Sequence, residues 1–438
     1  MPTQRKRSVS VVLGAAAVGA LVLALVAPGA GAATANDPGV SDKNVTVGYI
    51  YSGTGSAAST FRTAADACKA RIDRQNAAGG VNGRKITLVV RDDKSGGDNI
   101  TATKDLIQNQ NAFLIVNNSS FAFLSYRTML DNHVPMVGGG YDGDYYGRPG
   151  NESIFSTIGA PFVGLTTDTS AKVMKQLGAK KTAALAYGAS PSSTASTKAF
   201  QQYAVPEFSM DAVYTNTTVD FGSTDVGPLV LGIKNAAADG AYLPLVAASN
   251  LAVIQGLQQN NVTMKALLMP TGYGQDLLDQ PAAKTLTPAD VFTSQWEPVE
   301  LKTKATKQFQ SDLKKYGGIS GVPDFGDYTG YTSCELAILG LEHAGQTPTR
   351  NGFVSGLRAL GTYDAAGLNC EPINIGSENY GKFPVQQCTY IVTVKNGKFV
   401  VGNKGKPVTG KIVGDPALVA SSTYSLNGSS SSTTTTSK

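Results

Sequence analysis

The chain has 438 residues, a formal charge of +5, 42% hydrophobic residues, 49 glycines and four cysteines. That length exceeds one ordinary domain and suits two domains with tails, and the apolar content excludes bulk disorder. Three of the cations, Arg5, Lys6 and Arg7, sit in a terminal segment expected to be removed; without them the charge is +2, which argues against a nucleic-acid partner.

Residues 1–32 read as a secretory signal peptide. The basic cluster is followed by the apolar run Val9–Val26 and the small-x-small Ala30-Gly31-Ala32. A membrane anchor is the competing reading. The run is short, rich in Gly and Ala and closed by Pro28, which favours the signal. No cysteine follows until Cys68, so a lipid anchor is not expected. The mature protein is expected to be soluble, extracytoplasmic and to start near Ala33.

From Val45 the sequence alternates strand and helix. Val45–Tyr51 reads as a strand and Phe61–Asn76 as a helix with Phe61, Ala65, Cys68 and Ile72 on one face. Strand Lys85–Asp93, helix Ala102–Asn109, strand Phe113–Val116, helix Phe121–Asp131 and strand Val134–Val137 follow. Short apolar strands between helices predict a parallel sheet covered on both faces. After Phe155 the pattern restarts with helix Phe162–Leu177, strand Thr182–Tyr187, a helix near Ser196–Val205 and strand Ala212–Asn216. Helix Val226–Ala237, strand Ala241–Val246, helix Leu251–Gln259 and strands Ala266–Met269 and Val291–Trp296 complete a second sheet. The fold class is therefore α/β, with two open, doubly wound parallel sheets. Helices Ala305–Tyr316 and Tyr331–His343 come next, then a hairpin over Tyr390–Val400 turning at Lys395-Asn396-Gly397. Residues 421–438 are Ser/Thr-rich and expected to be disordered.

Cysteines in an exported chain read as disulfides. Cys370 and Cys388 flank a loop holding Asn374, Gly376, Gly381 and Pro384 and are expected to pair. Cys68 and Cys334 lie on predicted helices and either pair or remain as two buried thiols.

Catalytic chemistry is thinly represented. The two histidines, His133 and His343, support neither a zinc site nor a Ser-His-Asp triad. Ser311-Asp312-Leu313-Lys314 matches S-x-x-K but lies in a charged helix, where chance accounts for it. Gly53-Thr54-Gly55-Ser56-Ala57-Ala58 resembles a dinucleotide loop. The acidic residue that should hold the ribose about 20 residues later is missing, since Asp92 and Asp93 come too late. No enzyme, no metal and no cofactor is expected.

Open α/β sheets bind ligands beyond the carboxyl ends of their strands. Those ends are Ser52–Ser56, Asn117–Ser120 and Gly138–Asp142 in the first half, and Tyr187–Ser193, Pro244–Ala248 and Pro270–Tyr273 in the second. Their Gly, Ser, Thr and Tyr content suits hydrogen bonds to a small molecule. Ser119 and Ser120 start a helix, where they serve as caps and its N-terminus offers a seat for an anionic group.

The segment Asn76-Ala-Ala-Gly-Gly-Val-Asn-Gly-Arg-Lys-Ile-Thr-Leu-Val-Val-Arg-Asp-Asp93 resembles the leucine/isoleucine/valine-type solute-binding proteins of ABC importers. Val45–Gly53, the Lys104–Gln108 helix and the Tyr328–Leu341 helix share the resemblance, which spans roughly Val45 to Gly402. It implies a type I periplasmic-binding fold whose two lobes are joined by crossovers near Phe155, Trp296 and Tyr363. Lobe 1 would comprise 44–155 plus 297–360, and lobe 2 would comprise 156–296 plus 361–412. It further implies a monomer that captures an amino acid or an amino-acid-like or amide compound and delivers it to an ABC permease. A sensor reporting to a membrane receptor is the alternative. The ligand-binding residues carried over or placed at strand ends are Asn118, Ser119, Ser120, Gly139, Gly140, Tyr141 and Asp142 in lobe 1, and Tyr187, Ser192, Val246, Thr271 and Tyr273 in lobe 2. In the family an acidic residue pairs with the ligand ammonium. Thr271 stands at that position here, Ser192 and Val246 stand where tyrosines are usual, and Asp142 is the substitute acid if the ligand has an ammonium.

Overall fold

A computed structural model describes residues 37–139, 145, 146, 148, 150–159, 165–377 and 386–415. The expected signal segment, the Ser/Thr-rich tail and the site candidates Gly140, Tyr141 and Asp142 lie outside these residues.

The first sheet is built from β1 (Asn44–Tyr51), β2 (Lys85–Asp92), β3 (Leu114–Asn118), β4 (Met136–Gly138) and β5 (Ile154–Ser156), in the order β2-β1-β3-β4-β5. All of its pairs are parallel, and β3 is buried along its whole length. A strand shielded on both faces needs the apolar run Leu114-Ile115-Val116 rather than an alternating one. Between these strands run α1 (Ala58–Phe61), α2 (Ala64–Ala77), α3 (Asn99–Gln108) and α4 (Tyr126–Asp131).

After β5 the chain crosses to the second sheet. The elements that follow are β6 (Leu165–Thr167), α5 (Thr169–Gln176), β7 (Lys181–Tyr187), α6 (Pro191–Ala199), β8 (Asp211–Val219), α7 (Gly227–Asn235), β9 (Gly240–Tyr242), α8 (Ala247–Gln259), β10 (Ala266–Met269), α9 (Gln275–Leu278) and β11 (Asp290–Ser294). At Trp296 it returns to the first sheet with α10 (Lys304–Asp312), α11 (Phe325–His343) and α12 (Arg350–Leu360). A third passage carries the ribbon of β12 (Thr362–Tyr363) and β13 (Ile373–Asn374) and ends in β14 (Cys388–Lys395), β15 (Lys398–Val401), β16 (Val408–Thr409) and β17 (Ile412–Gly414). The outgoing and returning chains touch: Trp296 bridges to Asn369, and Cys370 N–H donates to Gln295 O at 2.9 Å.

The second sheet runs β15-β14-β11-β10-β9-β7-β8 and is mixed rather than parallel throughout. β14 pairs antiparallel with β11 and β15; the two-residue turn Asn396-Gly397, with φ of 52° and 71°, reverses the chain between β14 and β15 without a crossover helix. The expected helix Phe162–Leu177 is a strand over Leu165–Thr167 and a helix only from Thr169; β6 pairs with β17, and Asp168 Oδ1 accepts from Lys411 N–H at 2.7 Å. That distant partner overrides the local helical spacing. The expected helix Phe61–Asn76 divides into α1 and α2, and strand Ala241–Val246 stops at Tyr242, two residues before Pro244.

α2 and α11 lie against each other so closely that a Cβ on Gly330 would fall 2.0 Å from Ala64 O. Cys68–Cys334 joins the two helices and Cys370–Cys388 fastens the third passage to β14, so the expected pair is present and the open alternative for Cys68 and Cys334 is decided as a disulfide. A buried ion pair, Arg71–Glu335, spans the same helix interface, and Arg74 meets Asp312 at 2.8 Å. Among the described residues, no helix is long and apolar enough to cross a membrane.

Candidate functional site

Between the two sheets, at the carboxyl ends of their strands, is a cavity of about 290 Å³. The lobe 1 wall includes Thr60, Phe61 and Ser120, and the connecting strands supply Ile158, Gly159, Gln295, Trp296 and Gln386. The second sheet contributes the serines at the start of α6 together with Tyr187, Tyr242, Val246 and Tyr273. No described lining residue carries a charged side chain.

Six of the expected site residues line this cavity: Ser120, Tyr187, Ser192, Val246, Thr271 and Tyr273. Several of their hydroxyls are already engaged within the protein. Tyr187 OH accepts from Val246 N–H at 2.7 Å and donates to Ser249 Oγ at 3.2 Å. Tyr273 OH donates to Glu300 Oε2 at 2.6 Å and accepts from Val299 N–H at 3.1 Å. Burial pushes both phenols above their ordinary pKa. Thr271 Oγ1 donates to Leu245 O at 2.6 Å and accepts from Asn250 Nδ2 at 3.0 Å. These three residues therefore offer the cavity ring or methyl surface rather than free hydroxyls.

Asn118, Ser119 and Gly139 do not line the cavity. Asn118 Nδ2 donates to Tyr49 OH at 2.9 Å and to Thr329 O at 3.1 Å, which ties β3 to α11. Ser119 donates to the buried Asp93 carboxylate and accepts from Phe121 N–H at 2.8 Å. Asp93 also accepts from Ser52 Oγ at 2.9 Å and Asn99 Nδ2 at 2.8 Å. The hydroxyl expected to hold an anionic ligand end thus faces a protein carboxylate. Asp92, too late for a ribose, instead accepts from Gly53 N–H at 2.9 Å and from Thr54 Oγ1 at 2.6 Å, and so shapes the Gly53–Ala58 loop.

That loop leads into α1, whose hydroxyls meet the start of α8. Ala247 N–H donates to Thr60 Oγ1 at 3.0 Å and Ala248 N–H to Ser59 Oγ at 3.3 Å. The first amides of α8 are thus capped from the opposite lobe, while its own N-cap, Val246, has no side-chain acceptor. Phe121 and Phe221 meet across the cleft with ring centroids 4.8 Å apart.

Phe61, Phe221, Trp296, Phe325 and Gln386 line the cavity without having been expected there. Trp296 is 2% exposed and stacks on Tyr328, with centroids 5.4 Å apart and planes 14° from parallel. Its Nε1 has no hydrogen-bond partner among the described residues, and neither has Gln386 Oε1. Phe221 follows directly on the end of β8, so a correct strand end would have found it. Gln386 has no local signal; it lies two residues before Cys388, where β14 begins. Neither His133 nor His343 lines the cavity, and no group of metal-ligating side chains occurs among the described residues.

A family model described as periplasmic binding protein matches residues 44–398. None of the curated proteins matches the chain by sequence. Among solved structures it is similar to a fatty acid ABC transporter substrate-binding protein from Thermomonospora curvata, at 19% identity and a TM-score of 0.72 over 86% of this chain and 94% of that one. It is similar to a branched-chain amino acid transporter substrate-binding protein from Streptococcus pneumoniae in complex with isoleucine, at 18% identity and a TM-score of 0.68 over 84% of this chain and 100% of that one. A solute-binding protein from R. palustris in complex with benzoate gives 18% identity and a TM-score of 0.67 over 84% of this chain and 97% of that one. The shared fold accommodates three chemically different molecules, so any choice of ligand rests on the cavity.

Proposed function

Because this chain belongs to the periplasmic binding protein family, we propose that it captures a small molecule between its two lobes and delivers it to an ABC importer. The observation that carries this reading is the cavity at the carboxyl ends of both sheets, closed by hydrogen bonds that the first amides of α8 in one lobe donate to Thr60 and Ser59 of the other. A ligand touching both lobes binds the closed state better than the open one, so capture and closure are one event. The closed form is then the one an ABC permease recognises. The family consists of substrate-binding proteins rather than enzymes, and the engaged hydroxyls around the cavity suit holding a molecule rather than attacking it. We assign residues 44–155 plus 297–360 to lobe 1 and 156–296 plus 361–412 to lobe 2, acting as a monomer. Export by the signal at residues 1–32 places the mature protein outside the cytoplasm, starting near Ala33.

The test is mass spectrometry of the small molecule that co-purifies with exported protein, followed by its removal and return under small-angle scattering. A fall in the radius of gyration on return is expected. A rebound molecule that leaves the radius unchanged would overturn capture by closure, and conversion of the molecule would replace binding by catalysis.

A further inference from the structure

Resting on that solute-capture reading, we propose that the captured molecule is uncharged: a flat apolar body carrying one neutral polar head and no ammonium group. Four observations converge on it. First, no described residue of the cavity wall is charged. A buried ammonium or carboxylate is costly unless a counter-charge and hydrogen bonds meet it. Second, the groups suited to the charged ends of an amino acid are occupied. The Thr271 hydroxyl is held by Leu245 O and Asn250. Ser119, suited to an anion, donates to Asp93, whose negative charge would repel one. The amides at the start of α8 are taken by Thr60 and Ser59, so the helix end is not free to seat an anion.

Third, two residues of the wall each carry a buried polar atom without a partner among the described residues. Trp296 Nε1–H and Gln386 Oε1 lack partners among the described residues, and their side chains belong to residues only 2% and 5% exposed. Buried polar atoms of this kind normally have a partner. One acceptor for the indole N–H and one donor for the amide oxygen are what a carboxamide or a neutral hydroxyl-bearing head supplies. Fourth, Phe61, Tyr187, Phe221, Tyr242, Trp296 and Phe325 all contribute to the wall, which favours a flat body that stacks or meets ring edges.

The experiment presents one body with four heads to the mature protein by calorimetry and scattering: 3-phenylpropanamide, 3-phenylpropanoate, phenethylammonium and phenylalanine. The amide is expected to bind at least about tenfold tighter than each charged probe, a difference of about 1.4 kcal/mol. Trp296→Phe and Gln386→Leu should each weaken the amide by about three- to tenfold, the worth of one neutral hydrogen bond. Gln386→Leu keeps the test usable if Trp296→Phe fails to fold. Phenethylammonium reads any negative charge contributed by Asp142. If it or phenylalanine binds as tightly as the amide and compacts the protein, the uncharged ligand is overturned while solute capture stands. Failure of all four probes overturns the flat apolar body. An identified natural ligand that leaves the radius of gyration unchanged would instead overturn the capture reading.

Discussion

Behind the strand ends of the first sheet, Asp93 accepts from Ser52, Asn99 and Ser119, and Asn118 bonds Tyr49, Thr329 and Ser333. Along the wall formed by the connecting strands, Trp296 Nε1 and Gln386 Oε1 have no described partner. Both regions are polar and buried at the mouth of a sheet, yet only the second borders the cavity. The difference is one of linkage. Side chains that bond several elements at once hold loops in place, whereas polar atoms without a partner in residues that line the cavity tie nothing together.

The comparison breaks most visibly where the scaffold of lobe 1 is cut. Arg71→Met leaves the buried Glu335 carboxylate without its guanidinium. Urea unfolding should show a loss of about 3–5 kcal/mol, the usual cost of orphaning one partner of a buried pair. A loss under 1 kcal/mol would mean that the α2–α11 interface does not depend on the charge.

A smaller effect of definite sign is expected from Asp327 at the start of α11. Burial, reinforced by the negative charges of Asp276 and Asp66, pushes its carboxyl from 3.8 to about 6, and its neighbour Asp324 is pushed well up as well. The folded state then holds the proton more tightly than the unfolded chain. Stability from this group is present below about pH 4 and is lost as the pH rises towards 6, by roughly 3 kcal/mol. Asp327→Asn keeps an acceptor for the Asp324 N–H and should flatten this slope. Urea midpoints for both proteins at pH 4.5 and 7 measure it, and equal slopes would refute it.

Ser119→Ala sharpens the comparison directly. Asp93 would keep Ser52 and Asn99, so a stability loss of about 1–3 kcal/mol is expected, with ligand affinity changed by no more than about twofold. A tenfold loss of affinity with unchanged stability would instead restore Ser119 to the ligand, as strand-end position alone suggests.

The alternation of short apolar strands with helices was legible because a doubly covered parallel sheet imposes it locally, as in Leu114–Asn118. The strand over Leu165–Thr167 was not, because its partner Ile412–Gly414 lies at the far end of the chain. The same division runs through the site. Tyr187, Ser192, Val246, Thr271 and Tyr273 followed from strand ends alone and line the cavity. Ser119 obeyed the same rule and does not, since what decides its role is Asp93, 26 residues earlier in sequence. Trp296 and Gln386 reach the wall from the connections between the two sheets, which no local pattern announces.

The smallest expected effect concerns the contact between the lobes. α8 begins at Ala247, and the amides of Ala247 and Ala248 have no partner within their own helix. In the closed arrangement Thr60 Oγ1 and Ser59 Oγ accept from them at 3.0 and 3.3 Å. On opening, the amides and hydroxyls return to water, so each bond favours closure by only about 0.5–1.5 kcal/mol. The pair Ser59→Ala and Thr60→Val removes both acceptors with little change in shape. Closure would then be less populated, and a ligand that requires it would bind more weakly by the same factor. Urea stability should barely move, since α8 is capped by water in the open state. The measurement is the radius of gyration of the double variant with and without the co-purified molecule, alongside its affinity. A larger radius when free and an affinity lower by about fivefold or more, the worth of the two bonds together, are expected. An unchanged affinity would show that Ser59 and Thr60 rest against α8 without holding the cleft shut.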